Sequence, residues 1–337
     1  MAAYTAIDDT EAYFQVKTYT GNGSTQSITL DGDTDLQPDL NWIKCRSAAE
    51  NHIMSDSVRG VSAGWGNFVL NPNVTSQQYG GTGTAYVTSL NSDGFSVAAN
   101  DAVNTNTETY VAWNWKESAV SGFDMVAYTG NGTDDTDISH SLSAVPHVIL
   151  VKNRDAADPW RMQHKALGET FGLILNDTTV KDDDATAWSD EAPTSSVFTL
   201  GTSANTNNNT EDFIAYLFSE KQGFSKFGSY TANNNVDGVF IYLGFRPSLF
   251  ICKKISGTES WYVNDHKRSP SNPTEAELYA DTNQVEDTSN ARIDLLSNGV
   301  KMRTTNGGYN TGTDTYIYMA FADAPFVNSN GVPCNAR

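Results

Sequence analysis

One aromatic-rich strand pattern occurs three times in this chain at intervals of 103 residues, and it restricts the fold to something assembled from three like parts. The copies are Tyr110-Val111-Ala112-Trp113-Asn114-Trp115-Lys116-Glu117, Phe213-Ile214-Ala215-Tyr216-Leu217-Phe218-Ser219-Glu220 and Tyr316-Ile317-Tyr318-Met319-Ala320-Phe321-Ala322-Asp323. One face is large in every copy (Val111, Trp113, Trp115; Ile214, Tyr216, Phe218; Ile317, Met319, Phe321), while the other is mixed and often small. Alternation of period two marks a strand. The large face is expected to be the core of each copy.

Three further features recur in the same order. A strand runs into a turn at Tyr19-Thr20-Gly21-Asn22-Gly23, Tyr128-Thr129-Gly130-Asn131-Gly132 and Tyr230-Thr231-Ala232-Asn233-Asn234. Asn-Gly supplies positive φ, so the block reads as a strand ending in a hairpin, with the third copy departing in its turn. A proline precedes a nearly continuous apolar strand with a lysine six residues on: Pro38 with Lys44, Pro146 with Lys152, Pro247 with Lys253. Such strands are covered on both faces. Last, Phe95, Phe198 and Val300 open half-buried strands.

With weaker matches between these anchors, each copy has at least six or seven strands. The expected fold is all-β, with three tandem antiparallel β-sandwich modules of jelly-roll or concanavalin/SPRY-like type. The expected boundaries are an N-terminal arm at 1–12, repeats at 13–118, 121–221 and 222–327, and a C-terminal tail at 328–337. Both tails are expected to grip neighbouring subunits.

Lys plus Arg number 21 against 40 Asp plus Glu, giving a formal charge of -19 that repels nucleic acid and anionic membrane surfaces. No nucleic-acid partner and no membrane insertion are expected, since the apolar runs are only strand length. The start of the chain shows no basic region followed by an apolar stretch, so synthesis in a cytoplasm is expected. Cys45, Cys252 and Cys334 form neither a disulfide framework nor a zinc pattern.

The combination Pro38-Asp39-Leu40-Asn41-Trp42-Ile43-Lys44, Asp56-Ser57-Val58-Arg59-Gly60, Asn91-Ser92-Asp93-Gly94-Phe95 and Thr109-Tyr110-Val111-Ala112-Trp113 resembles a module repeated in structural proteins of tailed, often marine, bacteriophages. The similarity extends through the later copies. The resemblance implies a virion location, as a tail-fibre, receptor-contacting or head-decorating component. It implies virion proteins as partners, with a host surface glycan as a further one, and a homo-oligomer, taken as a trimer by analogy with phage appendages. It carries no catalytic residues.

From the residues themselves no catalytic, cofactor-binding or metal site is expected. A glycan hydrolase needs two carboxylates at a defined separation, one with a raised pKa, and no motif selects a pair; a stand-alone carbohydrate-binding module or depolymerase is the alternative reading. Glu108, Glu211 and Asp314 recur before the last strand of each copy, which favours a loop role. Asp31-Gly32-Asp33-Thr34-Asp35 and Asp134, Asp135 and Asp137 have calcium-like spacing but read as solvated turns. The five histidines are taken as ordinary strand or loop residues, and the three repeated lysines as snorkelling or carboxylate-paired. Aromatic rings on loops could stack on sugars. Trp188 and Tyr79 are the candidates, each equally readable as a plug over the end of its sheets or as a subunit contact.

Overall fold

A computed structural model describes residues 4–61, 68–80 and 85–334. The first three residues of the expected arm, the last three of the tail and residues 81–84 of the Gly-rich loop after Tyr79 lie outside the described residues. The described chain is all-β apart from three one-turn helices.

The first segment comprises β1 (Phe14–Thr20), β2 (Gln26–Ile28), β3 (Leu40–Cys45), β4 (Ile53–Asp56), β5 (Val87–Asn91), β6 (Gly94–Val97), α1 (Asp101–Asn104) and β7 (Thr109–Trp115). The second comprises β8 (Phe123–Thr129), β9 (Thr136–Ser139), β10 (Val148–Asn153), β11 (Arg161–His164), β12 (Phe171–Ile174), β13 (Asp182–Asp183), α2 (Ala185–Trp188), β14 (Val197–Leu200), α3 (Ala204–Asn207) and β15 (Asp212–Phe218). The third comprises β16 (Ser225–Thr231), β17 (Phe240–Tyr242), β18 (Phe245–Lys254), β19 (Trp261–Asp265), β20 (Leu278–Tyr279), β21 (Ile293–Leu296), β22 (Gly299–Met302) and β23 (Thr315–Pro325).

The same antiparallel order appears three times. The large sheets run β1-β7-β3-β4, then β8-β15-β10-β11-β12-β13, then β16-β23-β18-β19-β20. Small sheets accompany them: β2-β6-β5, β9-β14 and β17-β22-β21. The aromatic strands β7, β15 and β23 are therefore central, each paired on both sides. A central strand is covered above and below, which is why neither of its faces is polar.

Where the large faces go differs from the sequence expectation. They do not form three private cores. Val111, Trp113, Trp115, Ile214, Tyr216, Phe218, Ile317, Met319 and Phe321 belong to one continuous cluster that also takes in Trp42, Met54, Leu150, Met162, Trp160 and Trp261. At its centre three equivalent rings touch each other edge to face: Trp115–Phe321 at 5.5 Å, Phe218–Phe321 at 5.6 Å and Trp115–Phe218 at 6.3 Å between centroids. The three large sheets thus meet around these rings. A small cavity of about 30 Å³ lies beside these rings, lined by apolar side chains of all three segments.

The mixed faces, with their smaller residues, line the space between large and small sheets. Tyr110 and Ala112 join Ile28, Ile43, Phe95 and Val97 in the first segment. Phe213, Ala215 and Leu217 join Ile138, Val151, Phe198 and Leu200 in the second. Ala112 and Ala215 sit here among larger side chains, and in the third segment Tyr316, Tyr318 and Ala320 join Ile241, Val300 and Met302 in a layer continuous with the common cluster.

The Asn-Gly blocks are not hairpins within a sheet. β1 pairs with β7 and β2 pairs with β6, so the turn carries the chain from the large sheet to the small one. Positive φ is still needed: Gly23 has φ 71°, Gly132 67° and, in the third copy, Asn234 51°. Asn tolerates that region better than other side chains do, so the third turn keeps the same path.

The described part of the N-terminal arm is held against the third segment of its own chain. Thr5 Oγ1 donates to Gln222 O at 3.0 Å, Thr10 Oγ1 donates to Asp323 O at 2.5 Å, and Ile7 is buried in the common core. Ser329 N donates to Asp8 Oδ1 at 2.6 Å, so the two ends of the chain meet there.

Candidate functional site at the segment seams

The repeated polar residues come together at two kinds of place, the loop ends within each segment and the seams between segments. Within a segment, Tyr19, Tyr128 and Tyr230 stack on the cross-strand rings of Tyr110, Phe213 and Tyr316 at 5.0–5.2 Å. Their hydroxyls donate to Val103 O, Thr206 O and Tyr309 O. The next residue in each case is a buried asparagine. Asn104, Asn207 and Asn310 accept from the turn amides of Asn22, Asn131 and Asn233, each at 2.9 Å, and donate back to turn carbonyls. These latches went unrecognised in the sequence, although their interval is also 103 residues; they hide in Asn-rich loops where one more Asn carries no pattern.

Glu108, Glu211 and Asp314 close the same turns through their backbone carbonyls, which accept from Gly21, Gly130 and Ala232. A Cβ on Gly21 would fall 2.1 Å from Thr105 O, which is the close approach that glycine permits there. Two of the acidic side chains are occupied locally: Lys254 contacts Asp314 at 2.7 Å and Asn153 Nδ2 donates to Glu211 Oε2 at 2.5 Å.

At the seams the chemistry is cyclic, each segment reaching into the next. Tyr216 donates to Asp56 Oδ2 of the first segment at 2.7 Å, and Trp113 Nε1 donates to Asp265 Oδ2 of the third at 3.1 Å. Each acceptor is clasped by the arginine three residues on: Arg59 Nε to Asp56 Oδ2 at 2.5 Å and Arg268 Nε to Asp265 Oδ2 at 2.6 Å, with all four side chains sealed from solvent. The third equivalent seam is different. His164 replaces the aspartate, Leu167 the arginine and Met319 the aromatic donor. His164 Nδ1 accepts from Ala166 N, so Nε2 carries the proton and donates to Tyr318 O at 3.2 Å. Burial lowers its pKa to about 4.

A second cyclic set lies beside the first. Trp160 Nε1 donates to Asn71 O, Trp261 Nε1 donates to Ile174 O, and His52 occupies the corresponding place in the first segment. Trp42 Nε1 donates to His52 Nδ1, leaving His52 Nε2–H for Tyr279 O and Thr282 O, both at 3.0 Å. Burial, then the nearby Lys44, drives His52 well below the usual histidine range. His52 and His164, expected as ordinary strand or loop residues, are therefore buried at seams.

The repeated lysines correct another expectation. Lys44, Lys152 and Lys253 neither snorkel nor pair with a carboxylate; each ammonium is buried among backbone carbonyls. Lys152 Nζ donates to Ala156 O, Asp158 O and, across a seam, Thr75 O at 3.0 Å. Lys253 Nζ reaches Thr178 O across the next seam, also at 3.0 Å, and Lys44 Nζ donates to Cys45 O and Ala48 O. Burial pulls each down to about 8, still protonated at neutral pH.

Trp188 is wholly buried in the second segment, packed with Ile149, Val151, Phe198 and Leu200, and has no ring face open to a sugar. Of the two readings it plugs the end of the sheets. Tyr79 is half-buried, bridges Val69 and meets Tyr86 edge to face at 5.8 Å. The two candidates are not brought together.

Among carboxyls, Glu117 stands out: burial, then the hydrogen bond and charge of Asp124, raise it to about 7. Its Oε1 accepts from Met125 N, Asp124 accepts from Ser141 N, and Glu117 N donates to Asp39 Oδ2. These groups clasp the link between first and second segments. The Asp31 carboxylate is taken by Lys17 and Lys267, and Asp134 and Asp137 accept from Ser189 and Thr199. Among the described residues, no group of three or more His, Cys, Asp or Glu is placed to hold a metal ion, and no helix is long and apolar enough to cross a membrane.

A family model described as a domain of unknown function, DUF7483, matches residues 9–325. No curated protein and no solved structure matches the chain.

Proposed function

We propose, for a chain that belongs to the DUF7483 family, a non-enzymatic structural role on the exterior of a tailed bacteriophage particle, as a tail-fibre, receptor-contacting or head-decorating component. In this reading each segment is a β-sandwich module, large sheet on small, and the three are packed about one core. The observation that carries it is the use made of the repeated polar residues. The lysines, latch asparagines, strand tyrosines and Asp–Arg clasps spend their groups on backbone or on each other, inside the chain. Polar groups committed this way hold shape; they are not held ready for a reacting substrate.

The net charge of -19 suits display in many copies, and the sequence resemblance supplies the phage setting. Its partners in this reading are other virion proteins and, at the exposed loops, a host glycan. Three modules about one core already give one chain the threefold repetition expected of a trimer, so a map of the particle also decides how many chains assemble. Electron microscopy of the purified particle tests the proposal: density for this chain at a fixed stoichiometry on head or tail is expected. Absence from the particle, together with sugar release by the protein in solution, would replace it with a free depolymerase.

A further inference from the structure

Internal repetition provides a control for surface features, because what two copies share and the third changes is not required by the fold. One isoleucine of the short outer strand is buried in every copy: Ile28, Ile138 and Ile241, facing Phe95, Phe198 and Val300 across the ladder. Its flanking residues point to solvent. They are Ser27 and Thr29 in the first copy and Asp137 and Ser139 in the second, all exposed. In the third copy they are Phe240 and Tyr242, 43% and 55% exposed. Two hydroxyl-bearing or charged positions have become two rings; the Phe240 ring lies partly over Gly299 of the paired strand and Tyr242 beside Lys226, and each keeps about half its surface in solvent.

Beside Tyr242 lies an open groove of about 190 Å³, lined by Tyr4, Glu220, Gln222, Lys226 and Phe326 among others. Tyr4 is 57% exposed, so two exposed rings, Tyr4 and Tyr242, line the groove, with Phe240 two residues along the strand. Lys226 Nζ sits 5.3 Å from the Tyr242 ring centre and donates to the Tyr242 backbone carbonyl at 2.8 Å. Glu220 Oε2 contacts Lys165 at 2.7 Å and is held at the groove edge.

We propose that this face binds a neutral oligosaccharide, with Tyr242 and Phe240 as stacking platforms and Gln222, Lys226 and Glu220 as hydrogen-bonding groups. Flat apolar rings next to polar side chains match the two surfaces of a sugar. Charge and size favour this occupant. A second copy of the chain carries the same -19 and an anionic polymer the same sign, so both meet an electrostatic cost at this surface that a neutral glycan does not. The platform is a three-residue strand, about 10 Å long, far from the roughly 800 Å² per partner of a stable protein interface. The inference is drawn from this face alone and holds wherever the protein resides.

The test is affinity electrophoresis of the full chain through gels containing dextran, mannan, glycogen, galactan or hydroxyethylcellulose. Retardation by at least one is expected. The double variant Phe240→Asp with Tyr242→Ser, which installs the second copy's residues, should weaken it about tenfold or more while unfolding at the wild-type temperature. Tyr242→Trp should keep it. The proposal is overturned if none of the five polymers retards the protein, or if the double variant binds as well as wild type. It is equally overturned if sedimentation shows a dimer that the double variant dissolves, because the rings would then seat a second copy.

Discussion

The seam between the first and second segments and the seam between the second and third occupy equivalent places and solve the same problem with opposite chemistry. The first buries a charged clasp, Asp56 with Arg59, and caps it with the Tyr216 hydroxyl. The other buries a neutral His164, with Leu167 and Met319 where the arginine and the aromatic donor stand elsewhere. All three members change together. A buried carboxylate without its arginine, or a buried donor without its carboxylate, is costly, whereas replacing the whole set by apolar groups is close to neutral. The pair of seams therefore shows that the unit of substitution here is the clasp, not the residue.

That comparison can be broken most severely at the arginine. Arg59→Leu leaves Asp56 buried and unpaired, and a loss of about 3–5 kcal/mol in denaturant unfolding is expected; a loss under 1 kcal/mol would mean the clasp is not what holds this seam. Acid should find the opposite seam. The folded pKa of His164 is about 4 against 6.5 for a free histidine. Between these values the unfolded chain binds a proton that the folded one does not, so this stability is complete above pH 6.5 and drains as pH falls toward 4. The expected loss is about 3 kcal/mol. His164→Gln should weaken the dependence of the melting temperature on pH in that window, leaving the share of His52, His140, His147 and His266, which shift the same way, and of Glu117, which is raised and acts with the opposite sign.

A smaller effect is expected from Tyr216→Phe, which strips one donor from Asp56 but leaves Arg59 in place: about 1–2 kcal/mol by thermal unfolding. Smallest of all should be the transplant Asp56→His, Arg59→Leu, Tyr216→Met, which copies one seam onto the other. It should cost less than Arg59→Leu alone, a non-additivity that a full mutant cycle would read directly.

How far the sequence disclosed this arrangement depended on side-chain size and on loop composition. Trp113, Tyr216 and Met319 announce a repeated strand because large residues at period two are hard to place anywhere else. Their destination was not readable: β7, β15 and β23 are buried on both faces, and alternation alone does not say which face meets a neighbouring copy. The clasp did leave a trace, since Asp56-Ser57-Val58-Arg59 is matched in spacing by Asp265-His266-Lys267-Arg268. The altered middle copy masked it. Trp188 failed as a loop aromatic because a turn of helix, α2, folds it inward over the second segment's sheets.

Three like parts joined in one polypeptide have a freedom that three separate identical chains would lack. In a true homotrimer any amino-acid change is copied into every position, so a histidine seam or an aromatic patch would appear three times or not at all. Here Ser329 hydrogen-bonds Asp8 beside the third segment, and each third can drift by itself. Fusion thus turns a symmetric frame into one able to face its surroundings with three different sides.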